Sequence, residues 1–313
     1  MHLYETENNL IPDGAKVGGV DTPDGVTLRY AHWRAIKSPS KGTILILTGR
    51  TEFIEKYFET VNDFRDRGFG VLVFDWRGQG ASSRMLDNPK KGYIEDFSQY
   101  VVDFNTILDL IALPDCVAPF YVVGHSTGSL VALLAMPRER NRIQRMVLTS
   151  PMLALNSLPF SQSTLKYLTS TATVLGLGEA YVERGPSSMV TRPFEQNNLT
   201  SDLTRFERNR EFARAYPELV IGGATIGWIY AACRAMDEMK EPAVRSTLGI
   251  PTLLIAAGDD HVVSPAAAEE LGHDIPSATC LVIDGAKHEQ FQERDEFREQ
   301  LLAAIDAFIP GSE

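Results

Sequence analysis

Four short, almost wholly apolar runs lie in the first 150 residues, at 43–48, 70–75, 120–124 and 146–150. They are rich in β-branched residues, and Gly punctuates their ends, so each reads as a strand buried on both faces. Helical patterns separate them, at about 54–67, 93–113 and 127–136, the last expected to stop at Pro137. Continuous apolar strands alternating with helices predict an α/β fold, a mostly parallel central sheet with helices on both faces. Ahead of these, residues 26–36 follow a Pro-Asp-Gly turn and are expected to pair with 16–20 as an edge hairpin.

The alternation breaks after Pro151. Residues 152–247 carry no convincing strand, but hold helical patterns near 163–175, 203–216 and 224–239 between loops rich in Gly, Pro, Ser and Asn. Strand patterns return at 251–257 and 279–284, and an amphipathic helix follows at 295–308. Neither half supplies a finished sheet. The expected organisation is therefore one α/β core, residues 1–151 and 248–313, interrupted by a helical cap insertion at 152–247.

Composition narrows the function classes. The chain of 313 residues carries a net charge of −11, concentrated in the last 63 residues with 3 Lys/Arg against 13 Asp/Glu. There is no basic stripe to neutralise phosphates, which disfavours nucleic acid and anionic membrane surfaces as partners. No apolar stretch is long enough to span a bilayer, and residues 1–16 lack the basic start and apolar run of a secretory signal. Cys116, Cys233 and Cys280 are scattered and form no CxxC pair, which points away from a disulfide framework or thiolate metal cage and toward the cytoplasm. No G-x-G-x-x-G, Walker A or H-E-x-x-H string occurs, so no cofactor and no metal are expected.

The chemistry centres on Gly124-His125-Ser126-Thr127-Gly128. By composition a G-x-S-x-G string would arise about 0.1 times in such a chain, so the string alone says little. Its position says more. It joins a strand to a helix, as a nucleophile elbow must: the turn is tight, side chains two positions either side of Ser126 would clash, and both are Gly. Ser126 would then stand at a helix N-terminus, where the dipole favours a developing oxyanion. A serine nucleophile needs a base. Of six histidines, His288 stands four residues past the last strand, on the sheet edge where catalytic groups gather. His125 is expected to turn away inside the elbow. An acid between Ser and His in chain order is supplied by Asp259 or Asp260, and spacing does not choose between them. One oxyanion donor would be the backbone N–H of Thr127. Arg50 and Glu52 could form a local ion pair that shapes the loop after the strand at 43–48, or the Arg50 side chain could meet substrate.

Several motifs in order resemble the α/β-hydrolase superfamily, specifically the bacterial lysophospholipase and monoacylglycerol-lipase group, also labelled serine-aminopeptidase-like. These are Gly49-Arg-Thr-Glu52 with Lys56-Tyr57, Asp75-Trp-Arg-Gly-Gln-Gly-Ala-Ser82, the elbow, Gly227-Trp228, Ala257-Gly-Asp-Asp-His-Val-Val263 and Ala286-Lys-His-Glu289. The resemblance covers about residues 20–310. It implies that Asp260 is the triad acid, that the second oxyanion donor is the N–H of Arg50, and that the substrate is an ester of a monoacyl lipid, lysophospholipid or monoacylglycerol, with a small-ester esterase, amidase or aminopeptidase of the same fold as the alternative. Thr48 stands where many members of the group carry His, and His261 where they carry Arg. The apolar content of the insertion (Met152, Leu153, Leu155, Phe160, Leu165, Tyr167, Leu168, Trp228, Ile229, Tyr230) would suit an acyl chain, with Trp228 the candidate lining residue.

Overall fold

A computed structural model describes residues 1–156, 161–182 and 193–310. Its centre is an eight-stranded sheet in the order β1-β2-β4-β3-β5-β6-β7-β8. The strands are β1 (Lys16–Asp21), β2 (Thr27–Trp33), β3 (Thr43–Leu47), β4 (Gly70–Phe74), β5 (Phe120–His125), β6 (Ile143–Thr149), β7 (Thr252–Ala257) and β8 (Ala278–Ile283). β2 runs antiparallel to β1 and β4, forming the edge hairpin, and every other pairing is parallel.

The two-residue period of the strands divides the core. Leu45, Leu47, Leu72, Phe74, Val122 and Leu148 face one side, packing with Phe104, Leu130 and Leu133. Ile44, Ile46, Val71, Val73, Val123 and Val147 face the other, with Phe58, Val61, Leu301 and Ile305. Every residue of β3 and β4 is buried, because helices cover both faces. Emptying such a position, as in Leu45→Ala, costs about 2–5 kcal/mol. On the second face lie α1 (Phe58–Asp66), entered through a 3-10 turn at Ile54–Tyr57, and α10 (Asp295–Phe308). On the first lie α2 (Ser98–Ile107), which continues through a π turn into the single-turn α3 (Leu113–Asp115), and α4 (Thr127–Glu139).

Two boundaries differ from expectation. α4 does not stop at Pro137 but includes it. The proline falls in the last turn, where it removes one N–H, and buried Glu139 holds that turn by accepting from Arg142 Nη2 at 2.6 Å. β6 begins at Ile143, before its apolar run, because Phe120 pairs there.

Among the described residues of 152–247 there is no strand. The segment holds α5 (Gln162–Ala172), α6 (Leu203–Ala215), α7 (Ile226–Glu238) and α8 (Pro242–Arg245). Ser161, Asp202 and Thr225 cap α5, α6 and α7, each accepting an N–H from three residues on. Beyond it, α9 (Pro265–Asp274) connects β7 to β8. The sequence marks only a helix end near His273, without bounds, because the helix buries only Ala268 and Leu271 and so shows a weak apolar stripe. Among the described residues no helix is long and apolar enough to cross a membrane.

Candidate active site

The C-terminal ends of β3, β5, β6, β7 and β8 meet at one edge, and backbone strain concentrates there. The non-glycine residues with positive φ among those described are Thr51 (66°), Ser126 (51°) and Ser150 (41°), which follow β3, β5 and β6. Each such residue costs about 1–3 kcal/mol unless its surroundings hold it. At the elbow they do. A Cβ on Gly124 would lie 3.0 Å from the backbone of Ser129, and one on Gly128 only 2.2 Å from the carbonyl oxygen of Leu47. Both glycines are therefore demanded by close packing of the turn against helix and sheet.

Ser126 stands with its Oγ 3.1 Å from Nε2 of His288, and Nδ1 of His288 is 2.8 Å from Oδ2 of Asp260. With the Nδ1 proton donated to the carboxylate, Nε2 is left to accept from the serine hydroxyl. All three residues are buried. Burial pushes the Asp260 carboxyl up, but the His288 ring beside it, its hydrogen bond and the N–H groups of Val263 and Val262 outweigh this and leave it below the usual carboxylate range. Those N–H groups donate to Oδ1 at 3.0 and 2.8 Å, so both carboxylate oxygens are oriented. Asp259 goes elsewhere. Its Oδ1 meets Nε2 of His261 at 3.1 Å, with both side chains about half exposed.

The histidine loop is anchored from behind. Ser150 Oγ donates to the carbonyl of His288 at 2.8 Å, and Gln290 Nε2 donates to Ser150 Oγ at 3.0 Å.

His125 does not turn away as expected. Its ring centroid lies 4.8 Å from that of His288, and it lines the same cavity. Thr149 Oγ1 donates to the carbonyl of Gly124, so it takes the Nδ1 proton of His125 at 3.2 Å. Burial drives the His125 pKa down to about 3, with His288 and Lys56 adding to the shift and Glu52 opposing it. The ring is therefore a neutral wall at ordinary pH.

Thr127 opens α4 directly after Ser126, and Gly49 and Arg50 follow β3 across from it. The Arg50–Glu52 ion pair, one of the two readings the sequence allows, is not what shapes this loop. Glu52 turns into a buried cluster, where its Oε1 meets Lys56 Nζ at 2.8 Å and its Oε2 accepts from Tyr57 OH at 2.6 Å and from the N–H of Gly49. Lys56 also reaches Glu289 at 2.6 Å. The Arg50 guanidinium donates to the carbonyl of Gly222 at 2.9 Å and lies 5.0 Å over the Trp228 ring. Sequence reading missed the cluster because charged residues ordinarily face water. The available signal was their setting, since Glu52, Glu55 and Lys56 are embedded among Phe53, Ile54, Tyr57 and Phe58.

Above the serine is a cavity of about 310 Å³, within the range of small-molecule sites. Met152, Leu155, Leu165, Trp228 and Ile229 line it, as do Val182 and Leu199, which sequence reading had not singled out. Trp228 is fixed by its indole N–H, which donates to Tyr100 OH at 3.3 Å. Tyr167 and Leu168 are 71% and 51% exposed, so they do not join this lining, because α5 presents Leu165 inward and turns them to solvent. Leu153 is buried in the core beneath. Tyr230 is half-buried, with Arg234 over its ring. Phe160 lies outside the described residues.

The comparisons with known proteins agree on the family. The profile of Hydrolase_4, described as serine aminopeptidase, S33, matches residues 38–295. A probable lysophospholipase L2 of Haemophilus influenzae is 30% identical over 285 residues, spanning 91% of this chain and 88% of the relative. The monoglyceride lipase of Rattus norvegicus is 25% identical over 290 residues, with 91% and 88% covered. Among solved structures, a soluble variant of the monoglyceride lipase of Saccharomyces cerevisiae in complex with a substrate analogue superposes with a TM-score of 0.77 at 16% identity, over 99% of this chain and 100% of that one, which is a likeness of fold. The chain belongs to the serine aminopeptidase S33 family of α/β-hydrolases.

Proposed function

We propose that this protein is a serine hydrolase that cleaves the carboxylic ester of monoacyl lipids, lysophospholipid or monoacylglycerol, through an acyl-enzyme. The observation that carries the reading is the line Ser126–His288–Asp260, at 3.1 and 2.8 Å, on the floor of an apolar cavity. Relatives named lysophospholipase and monoglyceride lipase support the substrate class.

Ser126 Oγ attacks the ester carbonyl while His288 Nε2 takes the hydroxyl proton. The imidazolium is held against Asp260, which also fixes the tautomer that leaves Nε2 free to accept. The carbonyl oxygen becomes an oxyanion between the N–H groups of Thr127 and Arg50, helped by the N-terminus of α4. Collapse breaks the C–O bond, and His288 returns the proton to the departing alcohol. Water, deprotonated by the same imidazole, then attacks the acyl-enzyme, and fatty acid leaves as Ser126 regains its proton.

In this reading residues 1–151 and 248–313 form the catalytic core and 152–247 the cap, with Leu165, Trp228 and Ile229 supplying the wall for the acyl chain. The scattered free thiols fit a reducing compartment, the cytoplasm. A fluorophosphonate tests the reading most directly. It should label the protein at Ser126 and abolish hydrolysis of a lysophospholipid and a monoacylglycerol. Unlabelled Ser126 in an active preparation would refute it.

A further inference from the structure

The Gly49-Arg-Thr-Glu52 and Lys56-Tyr57 motif has no part in the proton transfers above, yet its side chains converge under the oxyanion loop. Oε2 of Glu52 accepts from the N–H of Gly49, the residue before Arg50, and from Tyr57 OH at 2.6 Å, while Oε1 takes Lys56 Nζ at 2.8 Å. On the other side of Arg50, the N–H of Thr51 donates to Gln79 Oε1 at 2.7 Å, and Thr51 itself sits at φ 66°. Two side-chain acceptors thus bracket the Arg50 peptide. The loop has no slack at Gly49, where a Cβ would lie 2.9 Å from both Glu52 Oε2 and His125 Cδ2.

We infer that Glu52 is a positioning residue for the oxyanion hole, a carboxylate whose three donors set the orientation of the Gly49–Arg50 backbone before substrate binds. Preorganised donors accelerate a reaction because they need no rearrangement as charge develops. A neutral side chain could not do this work. A carboxamide has one acceptor oxygen, and its NH2 group would face at least one of the N–H, O–H and ammonium donors now gathered on Glu52. The charge is maintained in the protein interior because burial, which pushes the Glu52 carboxyl up, is overcome by Lys56 and the Tyr57 hydroxyl, which hold it well down. The second carboxylate on Lys56, Glu289, is instead pushed up, by burial first and by Glu52 as well.

This inference rests on the acyl-enzyme reading, and the test separates the two. Glu52→Gln should lower kcat on a medium-chain p-nitrophenyl ester about 10- to 100-fold, less than deletion of an oxyanion donor. KM should stay within about twofold, and a trifluoromethyl ketone that adds to Ser126 should bind more weakly by the same factor as kcat falls. A residue that merely supports the fold would instead lower the melting temperature or the active fraction, leaving the inhibitor affinity of the folded protein unchanged. Wild-type kcat with unchanged ketone affinity overturns the inference. Should Glu52→Gln fail to fold, Tyr57→Phe, which removes one donor to Glu52, decides: a fall in kcat of about 3- to 10-fold at constant KM supports it, and unchanged kcat overturns it. If Ser126→Ala keeps full turnover in the same assay, the acyl-enzyme reading itself fails, whatever Glu52→Gln does.

Discussion

Replacing Asp260 by Asn isolates one atom of the proposed mechanism. Two backbone N–H groups, of Val262 and Val263, point at Oδ1 at 2.8 and 3.0 Å. The amide oxygen of Asn will stay on them, because turning the NH2 group there would leave three donors facing one another in a buried site. The NH2 group must then face His288 Nδ1, 2.8 Å away in the parent. That nitrogen becomes the acceptor, its proton moves to Nε2, and Nε2 now presents a hydrogen to Ser126 across 3.1 Å. The shape of the site survives and the base is lost. By analogy with the same exchange in serine proteases, kcat should fall about 10⁴-fold, roughly 5 kcal/mol of transition-state stabilisation. Asp259→Asn disturbs only a half-exposed contact with His261 and should leave kcat within about twofold. Initial rates on a medium-chain p-nitrophenyl ester, with a thermal melt for each variant, measure both. Similar losses in the two variants, or an Asp260→Asn enzyme retaining a tenth of wild-type kcat, would show the tautomer argument to be wrong.

Ser126→Ala should lower kcat by about 10⁴-fold or more with the melting temperature preserved, and fluorophosphonate labelling should disappear with it. Each methylene the cavity buries should raise kcat/KM by up to about 0.8 kcal/mol, near fourfold, until the space is full. An ester series from acetate upward should therefore rise to a plateau. Leu165→Trp, which fills the cavity wall, should bring that plateau to shorter chains; a series that declines from acetate onward would favour a small-ester hydrolase. A last expectation concerns acid stability. Burial pushes Glu59 up, but Arg205, Arg298 and Arg208 outweigh it and hold the carboxyl near 2 against an ordinary 4.5. A carboxyl depressed by folding stabilises above its unfolded value and loses that contribution as pH falls through the folded one. Glu59→Gln should lower the melting temperature at neutral pH and flatten its dependence between about 4.5 and 2. An unchanged acid profile would remove Glu59 from the account.

The strands of the sheet centre were readable because burial on both faces leaves an unbroken apolar run, as in Thr43–Leu47 and Gly70–Phe74. The elbow was readable because steric exclusion at Gly124 and Gly128 leaves a mark in the sequence. Asp259 and Asp260 were not separable, since adjacent residues differ only in where the loop points them, and two backbone N–H groups decide that. The position of His125 was misread for a different reason. His125 is the last residue of β5, paired with Thr149, so its side chain is directed by the strand and not by the turn that follows, and its ring lies 4.8 Å from that of His288. Glu52 and Lys56 were hidden most completely, because a buried ion cluster uses the same letters as a solvated surface. Arg29 gives the same lesson, fully buried between Glu55 and Asp75.

The distances along the chain between the three central residues carry a consequence for how activity is born. Ser126 and His288 touch across 162 positions, and Asp260 precedes His288 by 28. Because β5, β7 and β8 must all be in register before those side chains meet, no fragment of the nascent sheet holds the constellation that the proposed mechanism requires. Long-range parallel pairing is slow relative to local helix formation. Hydrolysis is therefore a late reporter during refolding, rising after helical signal has recovered.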